Sequence, residues 1–272
     1  GWLSLYTATQ AFFPDWAFLG TLVGWTLTLE LIFYLIAPLF LKWFYGKSAW
    51  QVLAICLVAS GLLLGSGVLL SQLPPVPNTL LGADRNWIMH HSFFGHAPDF
   101  LVGMFCAYLY LTHDSQDSRW RRQASKLIWG SVGVIYGATL LLVRLGSPTG
   151  APQNRSLGFV IALASSVLIL AIALDETTRN PVARFLSWRW VVYLGSISYA
   201  LYLIQLTEPI QWLYWLALGK YGGVENRIWQ AVLIFLITIP IAALWYELFE
   251  KPVHRFLARL SFSAGKFSIK RV

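Results

Sequence analysis

The stretch from Trp25 to Phe40, WTLTLELIFYLIAPLF, carries one formal charge, Glu30, among apolar and hydroxylated residues. Thr26, Glu30 and Tyr34 are spaced i, i+4, i+8, so a helix sets them on one face. A carboxylate flanked by hydroxyls accepts hydrogen bonds and brings charge and basicity to a site. The alternative is a neutral Glu30 that bonds a neighbouring helix as packing glue. A second stripe lies in GSISYALYLIQLTEP, where Ser198, Tyr202, Gln205 and Glu208 fall close to one face ahead of Pro209. Ser and Gln there also suit plain interhelical bonding. Asp99 follows Pro98. It reads either as a helix-start residue favoured by the dipole or as a partner of Glu30 and Glu208. His90, His91 and His96 precede Asp99 in HHSFFGHAPD, but their spacing matches no zinc pattern, and no metal site is expected. The aromatic run WIMHHSFF suits a membrane interface. In YELFEKPVHRFLARL, Glu247 with Lys251 and Glu250 with His254 stand at i, i+4, the spacing of an ion-paired helix end.

The elements that must position these groups follow from composition. Hydrophobic residues make up 57% of the chain and charged residues 12%, with a mean hydropathy of +0.60. A soluble domain carries about 25% charged residues. This chain cannot cover a water-facing surface, and the expected class is all-α, a polytopic transmembrane helix bundle. Seven apolar stretches approach the roughly 20 residues a span needs. They lie at about 25–45, 49–71, 98–113, 127–145, 157–175, 191–217 and 228–248. No repeat or linker divides residues 1–272, which are expected to form a single transmembrane domain. Cys56 and Cys106 sit in apolar runs and imply neither a disulfide framework nor a metal site. The net charge of +8 points to orientation and anionic membrane lipid; no soluble basic domain is there to bind nucleic acid.

Alternate loops differ sharply in Lys and Arg. Fifteen of the 20 lie on one side: Lys42 and Lys47, the 119–126 group, the 179–189 group and the tail from Lys251 onward. The other five are Arg85, Arg144, Arg155, Lys220 and Arg227. The positive-inside rule therefore predicts residues 1–24 outside and the basic tail, 251–272, in the cytoplasm. The tail, with Phe and Leu interleaved, reads as amphipathic and membrane-apposed. Glu30 then lies about a turn below the outer end of its helix, and Glu30, Asp99 and Glu208 share the outer-leaflet level. Such charges face a bundle interior or a wet cavity. The chain opens on Gly1 rather than methionine, with no basic n-region and cleavage site, and further residues are expected upstream. No phosphate loop, nucleophile elbow or hydrolase triad order is present, and no pair of corresponding broken helices suggests a transporter.

Trp25-Thr26-Leu27-Thr28-Leu29-Glu30, followed by Phe33-Tyr34 and Pro38, resembles the W-[ST]-L-[ST]-x-E-x-x-F-Y-x-x-x-P signature of the acyltransferase 3 family. HAPDFLVGMFCAYL resembles that family's P-x-F-x-x-G-x-x-x-A helix, FLSWRWVVYLGSISYALYLIQ its L-G-x-I-S-Y-x-x-Y-L-x-H block, and ELFEKPVHRFL its E-[RK]-P ending. The four stand in the family's order over nearly the whole chain. The resemblance implies a bacterial inner-membrane O-acyltransferase. Such an enzyme moves an acyl group, commonly acetyl, from a cytoplasmic acyl-CoA to a glycan, glycolipid or lipid acceptor, with no bound cofactor.

It also implies about ten spans with an inside N-terminus, of which the seven here would be the last. The family's histidine and arginine motifs lie on early helices without a counterpart in this chain, so an upstream histidine is expected to serve as base or acyl carrier. Gln205 stands where the family block ends in histidine, and an amide is no base near pH 7. On this reading Glu30 and Tyr34 serve catalysis by orienting that base or the acceptor. Trp25, Asp99, Ser198, Tyr199, Tyr202 and Glu250 contact substrate, Glu250 at the donor end. The rival reading is a non-catalytic scaffold within a larger membrane complex, for which the 14 tryptophans would supply protein and lipid contacts.

Overall fold

A computed structural model describes residues 2–19, 23–112, 118–145, 152–175, 180–205, 207, 209–210, 212–213, 215 and 227–256. Helices α1 (Trp2–Tyr6), α2 (Trp25–Phe44), α3 (Ala49–Gln72), α4 (Arg85–His91) and α5 (Phe93–Thr112) come first. Then follow α6 (Ser118–Leu145), α7 (Pro152–Leu174), α8 (Pro181–Leu186), α9 (Arg189–Ile204) and α10 (Arg227–Trp245). No strand occurs among the described residues. Among the described residues, four helices are long and apolar enough to cross a membrane: α2, α3, residues Gln123–Leu145 of α6 and Asn154–Leu174 of α7. The fold is thus the helical membrane bundle that the composition demands.

Each of the seven expected stretches contains a helix, but boundaries differ where polar residues extend an apolar run. The third stretch is not led by Pro98. Helix α5 begins five residues earlier, at Phe93, and carries Pro98 inside it. A proline removes only its own N–H and crowds the carbonyl four residues back, a cost that packed neighbours tolerate in membrane helices. Asp99 therefore lies more than a turn inside α5 and is not a helix-start residue. Helix α6 begins at Ser118, well before 127, because Arg and Lys are good helix formers even where hydropathy fails. Helix α7 starts at Pro152, a residue suited to the first helical turn. Beyond Ile204 much of the 191–217 stretch, with Glu208, lies outside the described residues, as do His113 and the tail after 256.

Local signals fix several helix starts. Ser48 and Gln51 form a reciprocal capping box at α3, with Ser48 N donating to Gln51 Oε1 at 2.9 Å. Asp84 caps α4 by accepting from Trp87 N at 2.9 Å. Asn180 caps α8 through Val182 N and also donates to Ser125 Oγ at 2.8 Å, which ties α8 to α6.

By their contacts the residues form two compact units, Gly1–Leu19 with Gly24–Trp188, and Gly20–Val23 with Arg189–Val272. In the first unit, Phe40 and Phe44 of α2, Val52 and Cys56 of α3, and Leu101 and Met104 of α5 make one buried cluster. Cys106 joins α5 to Leu170 and Leu174 of α7, and Ile128, Ala171 and Ala183 join α6, α7 and α8. Much apolar surface remains outward: Leu57, Val58, Leu62 and Leu69 of α3 are all exposed, the condition of lipid-facing side chains. In the second unit α9 packs with α10. Helix α10 runs into a π-helical turn at Tyr246–Glu250, where Lys251 N donates to the Tyr246 carbonyl. The helix continues through Pro252 to 256. The wider turn absorbs the ring of Pro252, which has no N–H to give to a regular helix.

Candidate functional site

Helices α2, α4, α5 and α7 bring polar side chains together at one end of the first unit. Asp99 is the hub. Its Oδ2 lies 2.9 Å from His96 Nδ1 and 2.8 Å from Arg155 Nη2. Arg155 reaches across from α7 and also donates to the Gly95 carbonyl, through Nε at 3.2 Å and through Nη2. A side chain could not replace the hydrogen at Gly95, since its Cβ would fall 2.1 Å from the Met89 carbonyl oxygen. This close approach seats the start of α5 against the end of α4. Arg155 and Asp99 are only 17% and 20% exposed, so the pair is a partly desolvated link between two helices.

His96 Nε2 lies 2.9 Å from the His90 carbonyl oxygen. Both ring nitrogens of His96 thus lie within hydrogen-bond distance of oxygen atoms. The geometry makes His96 a clamp between the end of α4 and Asp99. Asp99 Oδ1 and His90 Nε2 are buried without hydrogen-bond partners among the described residues.

Aromatic rings collar this cluster. The Trp25 ring at the start of α2 lies 5.0 Å from the His91 ring and 5.8 Å from that of His96. His91 in turn stacks on Trp87 at 5.4 Å and meets Phe18 edge-on at 5.3 Å. Burial holds the His91 imidazole below its ordinary range, the hydrogen bond to the Trp87 carbonyl opposes this, and nearby His90 and His96 lower it further. Among the described residues no three His, Cys, Asp or Glu side chains are grouped to hold a metal ion.

Glu30 and Tyr34 lie farther along α2. The buried seam of that helix runs through Leu29, Phe33, Ile36, Ala37, Phe40 and Phe44, with Phe33 stacked on Phe100 of α5 at 4.3 Å. One residue on, a helix has turned by about 100°. Glu30 is therefore half-buried at the flank of the seam, and Tyr34 is 67% exposed. The exposure of Tyr34 departs from an interior-facing stripe: Phe33 takes the inward position, and its neighbour must turn out. Glu30 has no hydrogen-bond partner among the described residues.

Of the residues singled out by sequence, Trp25 and Asp99 meet around His96, while Glu30 and Tyr34 continue along α2. Ser198, Tyr199, Tyr202 and Glu250 belong to the second unit. There Ser198 is exposed and donates to the Gly195 carbonyl at 2.7 Å, Tyr199 is exposed, and Tyr202 is half-buried on α9. Glu250 is half-buried in the π-helical turn, where Lys251 also pairs with Glu247. Sequence reasoning missed Arg155, which counted only as an outer-loop cation. Its signal was weak: a lone arginine in the first turn of an apolar helix, with an acid on another. A family model described as an acyltransferase domain matches residues 1–247. Neither the curated proteins nor the solved structures contain a significant match.

Proposed function

The chain belongs to the acyltransferase 3 family of membrane proteins, and from that premise we propose that it transfers an acyl group from acyl-CoA to a hydroxyl on a glycan, glycolipid or lipid acceptor. Acetyl is the acyl group we assign. The observation that carries the reading is the family match, which runs through residues 1–247 and takes in α2 with Glu30.

The reaction joins the acceptor hydroxyl oxygen to the thioester carbonyl, moves the hydroxyl proton to a base and releases CoA as a thiol. Acyl-CoA is a substrate here, not a resident cofactor. Glu30 is half-buried and not committed to another side chain, which supports a role in orienting an acceptor or a base. Tyr34, one turn on, is its proposed helper. Trp25 and the Asp99 clamp would shape the approach to α2. Within the second unit, Ser198, Tyr199, Tyr202 and Glu250 are the residues we assign to substrate binding, Glu250 to the donor. The uneven loop charges support a cytoplasmic tail and an outer position for residues 1–24; the family match supports residence in a membrane, which we assign as a bacterial inner membrane, with membrane lipids and other membrane subunits as neighbours.

The test uses the full-length protein in membranes supplied with acetyl-labelled CoA. Label should move into a glycan or lipid fraction, and Glu30→Gln should stop the transfer at unchanged protein level. Full transfer by Glu30→Gln would reduce Glu30 to interhelical packing. No transfer by the wild type to any fraction would favour a non-catalytic membrane subunit.

A further inference from the structure

We infer that an open surface cleft of about 430 Å³ formed by Pro14 and the 75–87 segment is a subsite for an uncharged sugar, the acceptor end of the acyl-transfer reaction proposed above. The inference rests on that reading for the word acceptor, and on the cleft alone for the sugar.

The walls suit a polyhydroxylated ring. Pro14, Pro75, Pro77 and Trp87 supply flat or convex C–H and aromatic surface. Asn78 and Asp84 supply hydrogen-bonding groups, and both are held in place by the fold. Asn78 Oδ1 accepts from Asp15 N at 3.1 Å, which leaves its amide N–H₂ without a partner among the described residues. Asp84 Oδ1 is used by Trp87 N, which leaves the second carboxylate oxygen as an acceptor. A donor and an acceptor beside an aromatic wall match adjacent hydroxyls over an apolar ring face. The loop is shaped by two left-handed residues, Asn78 at φ 53° and Gly82 at φ 69°. At Gly82 a Cβ would meet Pro75 Cα at 2.4 Å, so this turn closes only with glycine.

Charge selects the ligand class. The lining contains one carboxylate and no Lys, Arg or His, so nothing in it neutralises a phosphate, a uronic acid or CoA. Position links the cleft to α2. Trp87 lines it and stacks on His91, and His91 meets Trp25, so one aromatic wall runs from the cleft to the helix that carries Glu30.

The experiment is saturation-transfer NMR on the full-length protein in nanodiscs. The probes are p-nitrophenyl glycosides of glucose, galactose, mannose and N-acetylglucosamine, with p-nitrophenyl glucuronide as acidic control. At least one neutral probe should bind, and the glucuronide should bind at least tenfold more weakly than that probe. Asn78→Gly keeps the left-handed backbone and removes the amide, and Trp87→Leu removes the aromatic wall. Each should weaken neutral-sugar binding about tenfold or more while the protein stays monodisperse. The same sugar presented on a membrane-embedded glycolipid tells the sources apart, and tighter binding in either form, lost in Asn78→Gly, supports the subsite. Binding unchanged in Asn78→Gly, preference for the glucuronide, or no neutral probe bound would overturn it. Wild-type acyl transfer is scored separately. Transfer without sugar binding here removes the subsite and spares the acyltransferase reading; sugar binding without transfer does the reverse.

Discussion

Two polar regions of the first unit meet opposite ends. Around Asp99, most polar groups engage one another: His96 and Arg155 both bond a single carboxylate oxygen, and Arg155 also holds a backbone carbonyl, while Asp99 Oδ1 and His90 Nε2 have no partner among the described residues. Along α2, Glu30 stands half-buried with no partner among the described residues, and Tyr34 is open. A partly buried carboxylate costs free energy unless it is paired or solvated. The Asp99 region meets that cost with donors from two helices and gains a rigid joint. The α2 region leaves its carboxylate available, which is the condition of a group kept for a ligand. The two regions thus differ in how far their carboxylates are engaged: Asp99 is committed through Oδ2 while its Oδ1 and His90 Nε2 stay unpartnered among the described residues, and the Glu30 carboxylate is uncommitted.

The contrast makes the two regions separable by mutation. The largest effect should come from Glu30→Gln, with acyl transfer down by roughly 10²-fold or more and thermal melting in detergent near wild type. Loss of melting temperature in parallel with activity would put Glu30 in the same structural class as Asp99. Next in size is the clamp. Asp99→Ala leaves the Arg155 charge and the His96 donor unmatched and should destabilise the first unit by about 3 kcal/mol. Arg155→Ala should cost a similar amount, and the double variant much less than the sum, because the two share one interaction. Additive melting shifts would mean that the ion pair contributes little.

Tyr34→Phe should reduce transfer by about tenfold, consistent with loss of one hydrogen bond. In a Glu30→Gln background it should add almost nothing, since residues that act as a unit are not additive. A full tenfold loss in both backgrounds would separate Tyr34 from Glu30. The smallest effect concerns His91. Its folded-state pKa is lowered from the ordinary value of 6.5, chiefly by burial. Between the folded value and 6.5 the unfolded chain therefore binds the proton more readily. The stability contributed by a neutral His91 is complete above 6.5 and declines as pH falls through that window. Melting between pH 7 and pH 5 should be steeper in wild type than in His91→Gln, and equal slopes would remove His91 as a cause.

Much of the architecture was legible in one dimension. The helical membrane class follows from apolar runs, because lipid forces each span to satisfy its backbone internally, and that demand is local in sequence. The α2 signature and its i, i+4, i+8 polar residues are equally local, and so are the Ser48 and Asp84 caps. Boundaries were less legible where charge and helix coincide, as in α6, since a hydropathy reading ends where Arg119 to Arg122 begin while the backbone goes on coiling.

The sequence by itself determined that the chain is a helical membrane protein with the acyltransferase 3 signature and a carboxylate in α2. Only the tertiary structure decided what each polar residue faces. Asp99 and Arg155 are 56 residues apart and share no periodicity, so their pairing exists only once α7 lies beside α5. The i+4 spacing put Glu30 and Tyr34 on a common face, but the stacking of Phe33 on Phe100 chose which face turned inward. Spacing sets the angles between side chains on one helix, and packing against a neighbour sets the rotation of the whole helix. The first is written locally, and the second depends on contacts between distant segments.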